Sequence, residues 1–390
     1  MSSNIALSGI NAINGQLGQI SNNIANSGTY GFKSGRENFA SSYINAQPGG
    51  VTIGSTSQSI DIGGNFLSTG RGMDVAIQGR GFFVSREADG STVYSRAGIF
   101  GTDQDGHLVD FMKRRVQGYS GGGGQLGDLT VPTGAIPAQA SRALDYAGNL
   151  SADWEPPAVA TFDKSDPKSY NHMSVATVHD SLGREHSVTQ YFVKGAGNEL
   201  EVHYTMDGAD VGAPTQLSFD TNGALIGPSG TVALDLGTPD GASAMSLDVD
   251  YTGTTLFGGA QTTTKNRADG YAAGTFTGVT LTENGSIEVQ YTNGQKQIAG
   301  QLALATFANE QGLVPAEGSA WRATTDTGEP LFAAAGTGTA GRLAVGGLEE
   351  SNVDMTAELV HLMSAQQDYQ ANSKVLSTEN EMMRTLIQTL

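Results

Sequence analysis

The chain has no cysteine in 390 residues, which removes disulfides, thiolate metal sites, iron–sulfur clusters and cysteine nucleophiles together. Charge is scarce as well. Asp, Glu, Lys and Arg make up 15% of the residues, against roughly 25% in an ordinary globular protein. What charge there is leans one way, 21 basic residues against 39 acidic for a net charge of -18. A field of that sign repels phosphate backbones and anionic lipid, so neither nucleic-acid binding nor membrane insertion is expected. No stretch reaches the roughly 18 apolar residues of a membrane span. The first charge is Lys33, and Asn, Gln and Gly interrupt every apolar stretch before it, unlike a secretory signal with its positive start and unbroken apolar core. If the protein is exported, a route that keeps its N-terminus is expected.

Small polar residues stand where charge is missing, with 54 glycines, about twice the usual share. The length suggests two or three compact domains. Ala6, Ile10, Ile13, Leu17, Ile20 and Ile24 recur at alternating spacings of four and three, a heptad seam on one helix face. Ser2 or Ser3 is the expected cap and Gly28 the expected end. The opposite face carries Asn and Gln but no charge, and Gly9, Gly15 and Gly18 weaken the helix by up to about 1 kcal/mol each. Such a helix forms only when something packs on it. At the other end Met355, Leu362, Tyr369, Leu376, Met383 and Leu390 recur every seven residues. The companion row is Leu359, Gln366, Ser373, Asn380 and Ile387, apolar at its ends and polar in the middle. Ser351 with Asp354 resembles a capping box.

Between the ends the period is two, punctuated by Asp89-Gly90, Asp105-Gly106, Asn284-Gly285 and Asn293-Gly294, dipeptides that suit two-residue hairpins. The expected fold is mainly β with terminal α-helices: helical segments 1–28 and 351–390 forming a coiled coil, an extended connector over 29–69, a discontinuous antiparallel β-domain from 70–144 and 267–350, and a second β-domain, 145–266, inserted in it.

The motifs with a chemical reading are weak. Gly122, Gly124 and Gly127 spell a phosphate loop without the following helix. Asp103, Asp105 and Gly106 begin like a calcium loop whose closing Glu is absent. His172, His179 and His186 are spaced by seven in a segment that reads as strand, where odd spacing alternates faces. Lys113-Arg114-Arg115 reads as a solvated strand edge, and Trp154 and Trp321 as core anchors. No enzyme, cofactor or metal site is expected.

Other motifs are specific. Asn22-Asn23-Ile24-Ala25-Asn26 with Gly31-Phe32-Lys33, then Met73 to Gly79 with Gly81-Phe82-Phe83-Val84, resemble the flagellar rod and hook axial protein family. So do Glu349-Glu350-Ser351-Asn352-Val353-Asp354 and Gln367 to Asn372 near the far end. Asp180 to Gly183, Tyr291 with Asn293-Gly294-Gln295, and Leu302 to Phe307 leading into Gln311-Gly312-Leu313 are similar to the hook members in particular.

The resemblance implies a structural subunit that self-assembles into a curved, flexible tube, a universal joint passing torque from rod to filament around an export channel. It implies terminal helices in the inner layer and nested β-domains outside. Its implied partners are many copies of itself, the distal rod protein, the hook cap protein, the hook–filament junction protein and the export apparatus, at an extracellular location on the flagellum. A distal rod protein and a secreted β-rich binding protein are the alternatives.

Overall fold

The computed structural model describes residues 2–44, 47–121 and 124–389. Gly122 of the glycine run and Leu390 of the heptad row lie outside them. The chain forms two compact units, Met1–Thr133 with Gly278–Gln290 and Lys296–Leu390, and Gly134–Thr277 with Tyr291–Gln295. The boundaries expected at 145 and 266 therefore move outward. Strand Ala143–Ser151 belongs wholly to the second unit, where its alternate residues are buried and it pairs with Thr262–Ala268.

In the first unit, α1 (Ser2–Ala25) lies antiparallel to α2 (Met355–Thr389), and a two-stranded hairpin of β1 (Gly35–Ile44) and β2 (Gln47–Gln58) packs on α1. This corrects the extended connector. The hairpin escaped detection because its strands meet α1 through scattered residues of mixed kind, Gly35 beside Gln19, Glu37 and Ile53 against Gly15 and Gly50 beside Ser8, while Phe39, Tyr43 and Ile53 keep much of their surface exposed. Phe66–Ser68 pairs with Gly347–Glu349 in a short two-stranded sheet, and the large sheet of the unit is built around the long strand Lys296–Thr306, which pairs with Phe82–Arg86, Arg115–Ser120, Ser286–Tyr291 and Leu331–Ala334. Phe82, Tyr94, Phe307 and Trp321 meet edge to face in one core.

The second unit has a six-stranded and a five-stranded sheet sharing a core that includes Tyr146, Phe192, Leu217 and Leu247. It is not wholly antiparallel. Ala143–Ser151 runs parallel to both Met245–Asp250 and Thr255–Phe257, which the long excursion between them permits.

The Asx-Gly turns sit where expected but are one residue longer. At Gly90, Gly106, Gly285 and Gly294 only the glycine has positive φ, and bonds such as Glu87 N–H to Ser91 O enclose three residues. A two-residue type I′ turn needs positive φ at both centres, which the preceding Asp or Asn does not adopt here. Asp103 uses its carboxylate to accept the Asp105 and His107 N–H groups, so it is a turn residue. Arg114 is buried and bonded to Asp110 at 2.7 Å, not a solvated edge. Trp321 is a core residue, and Trp154 lies partly buried and stacked on His172.

Candidate assembly interface

The seam of α1 faces inward. Ala6, Ile13 and Ile20 are buried and Ile10, Leu17 and Ile24 half-buried; Ile13 and Ile20 form a cluster with Ala365, flanked by Leu17, Ile24 and Leu362. On α2 the outcome differs from the sequence pattern. Of the seven-residue row, Leu362 meets α1 and Leu376 is half-buried, while Met355, Tyr369 and Met383 are exposed. The companion row is displaced by one residue. Glu358, Ala365 and Asn372 approach α1, and Leu359 and Ile387 stay exposed. The reason is chemical: α1 offers the amide of Asn23 to Glu358 and the bare backbone of Gly9 to Asn372, and between them Ile13 and Ile20 fill the room that the small Ala365 leaves. A Cβ on Gly9 would lie 3.0 Å from Asn372 Oδ1, so the missing side chain is what admits the neighbour.

Asn23 joins three elements. Its Nδ2 donates to Gly35 O at 2.8 Å and Glu358 Oε1 at 2.9 Å, and its Oδ1 accepts from Gly35 N–H at 3.0 Å and Gln19 Nε2 at 3.2 Å. All its hydrogen-bonding capacity is used while it is buried. Asn26 donates to Asn22 O at 2.9 Å and accepts from Thr29, closing the end of α1.

The remaining signature residues tie both chain ends to the β-body. Gly31 has φ +68°, and a Cβ there would lie 2.6 Å from Ala97 N. Its N–H donates to Glu349 O at 2.8 Å. Lys33 Nζ donates to Glu349 Oε1 at 2.5 Å and Ile62 O at 2.6 Å, and Arg96 reaches Glu349 Oε2 at 3.3 Å. Burial pushes the Lys33 ammonium pKa below its ordinary value, against the pull of Glu349. Asn352 accepts from Ser34 N–H at 2.7 Å and donates to Ser59 O and Ile62 O, while its own N–H reaches Phe32 O at 3.4 Å. Asp354 caps α2 through the Thr356 and Ala357 N–H groups. Among the described residues Ser351 Oγ accepts from Val353 N–H alone, so Asp354 is the cap and the expected box does not form. The buried triad of Lys33, Arg96 and Glu349 escaped sequence reading because its members are far apart in the chain. The one signal was that Lys33 is the first charge.

On its face turned away from α1, α2 presents large apolar side chains to solvent, including Val360, Met363, Val375 and Met382. A row of this kind on a helix lacks its partner.

In the second unit the three histidines spaced by seven do separate jobs. His172 stacks between Trp154 and Phe192, while His179 approaches Glu185 at 3.8 Å. His186 stands between two carboxylates, 2.6 Å from Asp207 Oδ2 and 3.4 Å from Asp180 Oδ2. Its hydrogen bond to Asp207 raises its pKa. Burial pushes the Asp180 carboxyl up, yet bonds from Arg184, Leu182 N–H and His186 hold it well below the usual range.

Residues 76–151 match the family described as Flagellar hook protein FlgE/F/G D1 domain, residues 149–271 the Flagellar basal body protein FlaE D2 domain, and residues 344–389 the Flagellar basal body rod FlgEFG protein C-terminal. Over 403 residues the chain is 36% identical to the flagellar hook protein FlgE of Salmonella typhimurium, covering 99% of each. It is 35% identical to the flagellar hook protein FlgE of Escherichia coli K12, covering 98% of each. The crystal structure of the Helicobacter pylori flagellar hook protein FlgE2 is similar in fold, with a TM-score of 0.52 at 14% identity over 73% of this chain and 99% of that one.

Proposed function

Because the chain belongs to the flagellar hook protein family, we propose that its paired terminal helices polymerise into the wall of a curved, flexible tube. The protein is a structural subunit of the flagellar hook and not an enzyme, it resides in the flagellum, and it assembles with copies of itself in association with the basal body. The observation that carries the tube reading is the pairing of the two chain ends as helices while α2 leaves a row of large apolar side chains uncovered. Ala6 to Ile24 and Met355 to Leu390 form the coiled-coil inner layer in this reading, and the charge-free face of α1 suits packing among neighbours beside an export channel. The sheet of the first unit is the inner β-layer, and the second unit is the outer one, whose sliding contacts let the tube work as a universal joint. The distal rod protein, hook cap protein, hook–filament junction protein and export apparatus are its partners, and it is exported to the cell exterior without a cleaved signal. No helix among the described residues is long and apolar enough to cross a membrane.

A distal rod protein is not favoured, since the full-length relatives are hook proteins. Electron microscopy of the concentrated, purified chain tests the proposal. Curved tubes are expected; straight, stiff tubes would revive the rod alternative, and a persistent monomer would remove the polymer.

A further inference from the structure

The pairing of α1 with α2 stops before α2 does. Asn23 bonds to Glu358 and Gly9 faces Asn372, so the helices run antiparallel and the same offset sets Ser2 opposite Glu379. The ten residues of α2 beyond Glu379 extend roughly 15 Å further. On this end Met382, Met383 and Ile387 are 62%, 57% and 69% exposed, and Met383 continues the row that begins with Leu362 against α1. The overhang carries Glu381 and, beyond it, Arg384 as its one cation, which makes no ion pair among the described residues.

The same unit carries a groove of about 490 Å³ between α1, the hairpin and α2, lined by Ile5, Ala12, Ile13, Phe39 and Val51, with Asp368 as its one ionisable lining group. Ile5 and Phe39 remain exposed there. Nearby, Glu37 leaves Oε2 buried without a partner against Gly15, so the local field is negative.

We infer that this groove receives the C-terminal end of α2 from a second copy of the chain, with Met383 and Ile387 on Ile5 and Phe39 and Arg384 on Asp368. The inference rests on the assembly reading above and names its mating surfaces. Three observations carry it. The overhang continues the face that α1 covers over the preceding turns. The last charged side chain of the overhang, Arg384, meets the one ionisable group of the groove lining, Asp368. The overhang and the groove are also different surfaces of one chain, so their contact is heterologous and propagates into an open polymer, as a tube requires. A symmetric pairing of two α2 ends would stop at a dimer.

The test is pelleting of the full chain at low salt, read as the critical concentration for assembly. Arg384→Glu faces carboxylate with carboxylate and should raise that concentration by about tenfold or more. Asp368→Arg should do the same, and the double variant should return to within about threefold of the unchanged chain. Both positions are exposed, so thermal melting of the variants should match the parent. A polymerising chain unaffected by Arg384→Glu overturns the pairing and leaves the assembly reading standing, as does a double variant that fails to recover. A parent that stops at dimers overturns it in favour of symmetric pairing, and one that stays monomeric removes the assembly reading itself.

Discussion

Lys33 and Glu349 stand 316 positions apart in the chain and 2.5 Å apart in the fold, both buried. Arg96 shares the same carboxylate. Through this contact the segment after α1, the segment before α2 and the β-body share one charged centre, so a load on the helices passes to the sheet through buried bonds.

One anion serves two cations, and this orders the cost of removing each. Glu349→Gln leaves Lys33 and Arg96 buried without a counter-ion and should destabilise the first unit by about 3 to 5 kcal/mol. Lys33→Met leaves Arg96 with Glu349 and should cost less than half as much. Urea unfolding followed by the fluorescence of Trp321, the unit's one tryptophan, reads both. Equal costs would mean that Arg96 contributes nothing to the centre.

Glycines 18 and 31 should respond in opposite senses. Nothing lies within 4 Å of a Cβ on Gly18, so Gly18→Ala gains helix propensity, up to about 1 kcal/mol. Gly31 has φ +68° and the Ala97 backbone against it, so Gly31→Ala should lose at least about 1 to 2 kcal/mol from conformation alone. Hydrogen exchange in α1 and urea unfolding measure the pair. A destabilising Gly18→Ala would mean that this face of α1 is covered.

These residues also mark how far the sequence could be read. Ala6 to Ile24 declare a seam because their partners supply burial at helical period, and the strand Ala143–Ser151 declares itself because alternate residues enter one core. The row on α2 misleads by one residue. Hydrophobicity at Leu359 and Ile387 marks an apolar face, but periodicity is silent on whether anything in the same chain covers it, and nothing does among the described residues. Ala365, which does meet α1, is too small to stand out from its neighbours. The hairpin of β1 and β2 was hidden for a related reason. Its contacts with α1 mix Gly35, Glu37, Gly50 and Ile53, so no alternation of large apolar side chains develops. The Lys33 contact leaves no local pattern, because nothing within a helical or strand period connects it to Glu349.

His186 gives the second unit a pH dependence of definite sign. Its pKa in the fold is raised by Asp207 and Asp180, so its stabilisation is fully present below the unfolded value of about 6.5 and is lost as pH rises through the folded value. His172 and His203 have lowered pKa values from burial and act in the opposite sense, so the difference between the parent and His186→Asn isolates the contact of His186 with Asp207 and Asp180. Melting of the second unit should favour the parent near pH 6, with the advantage shrinking toward pH 8. A difference that stays constant across this range would show that the imidazole remains in one protonation state.

Met382 and Ala365 separate what holds the free subunit from what the polymer adds. Ala365 is 1% exposed against Ile13 and Ile20. A carboxylate there has no partner within the cluster, and burying it unpaired costs several kcal/mol. Ala365→Asp should therefore release α1 from α2 in the monomer, seen as lost helical circular dichroism and fast proteolysis before Gly28. Met382 is 62% exposed, so Met382→Asp leaves a solvated carboxylate in the free subunit, and melting and proteolysis should match the parent. In the tube the same position is to be covered, the charge must be desolvated in every copy, and pelleting should be lost. If Met382→Asp assembles normally, that face of α2 looks into water in the polymer and contributes nothing to the wall. If Ala365→Asp keeps its helix content and protease resistance, the pair is held by the Asn23 bonds and the hairpin, with its small apolar cluster secondary.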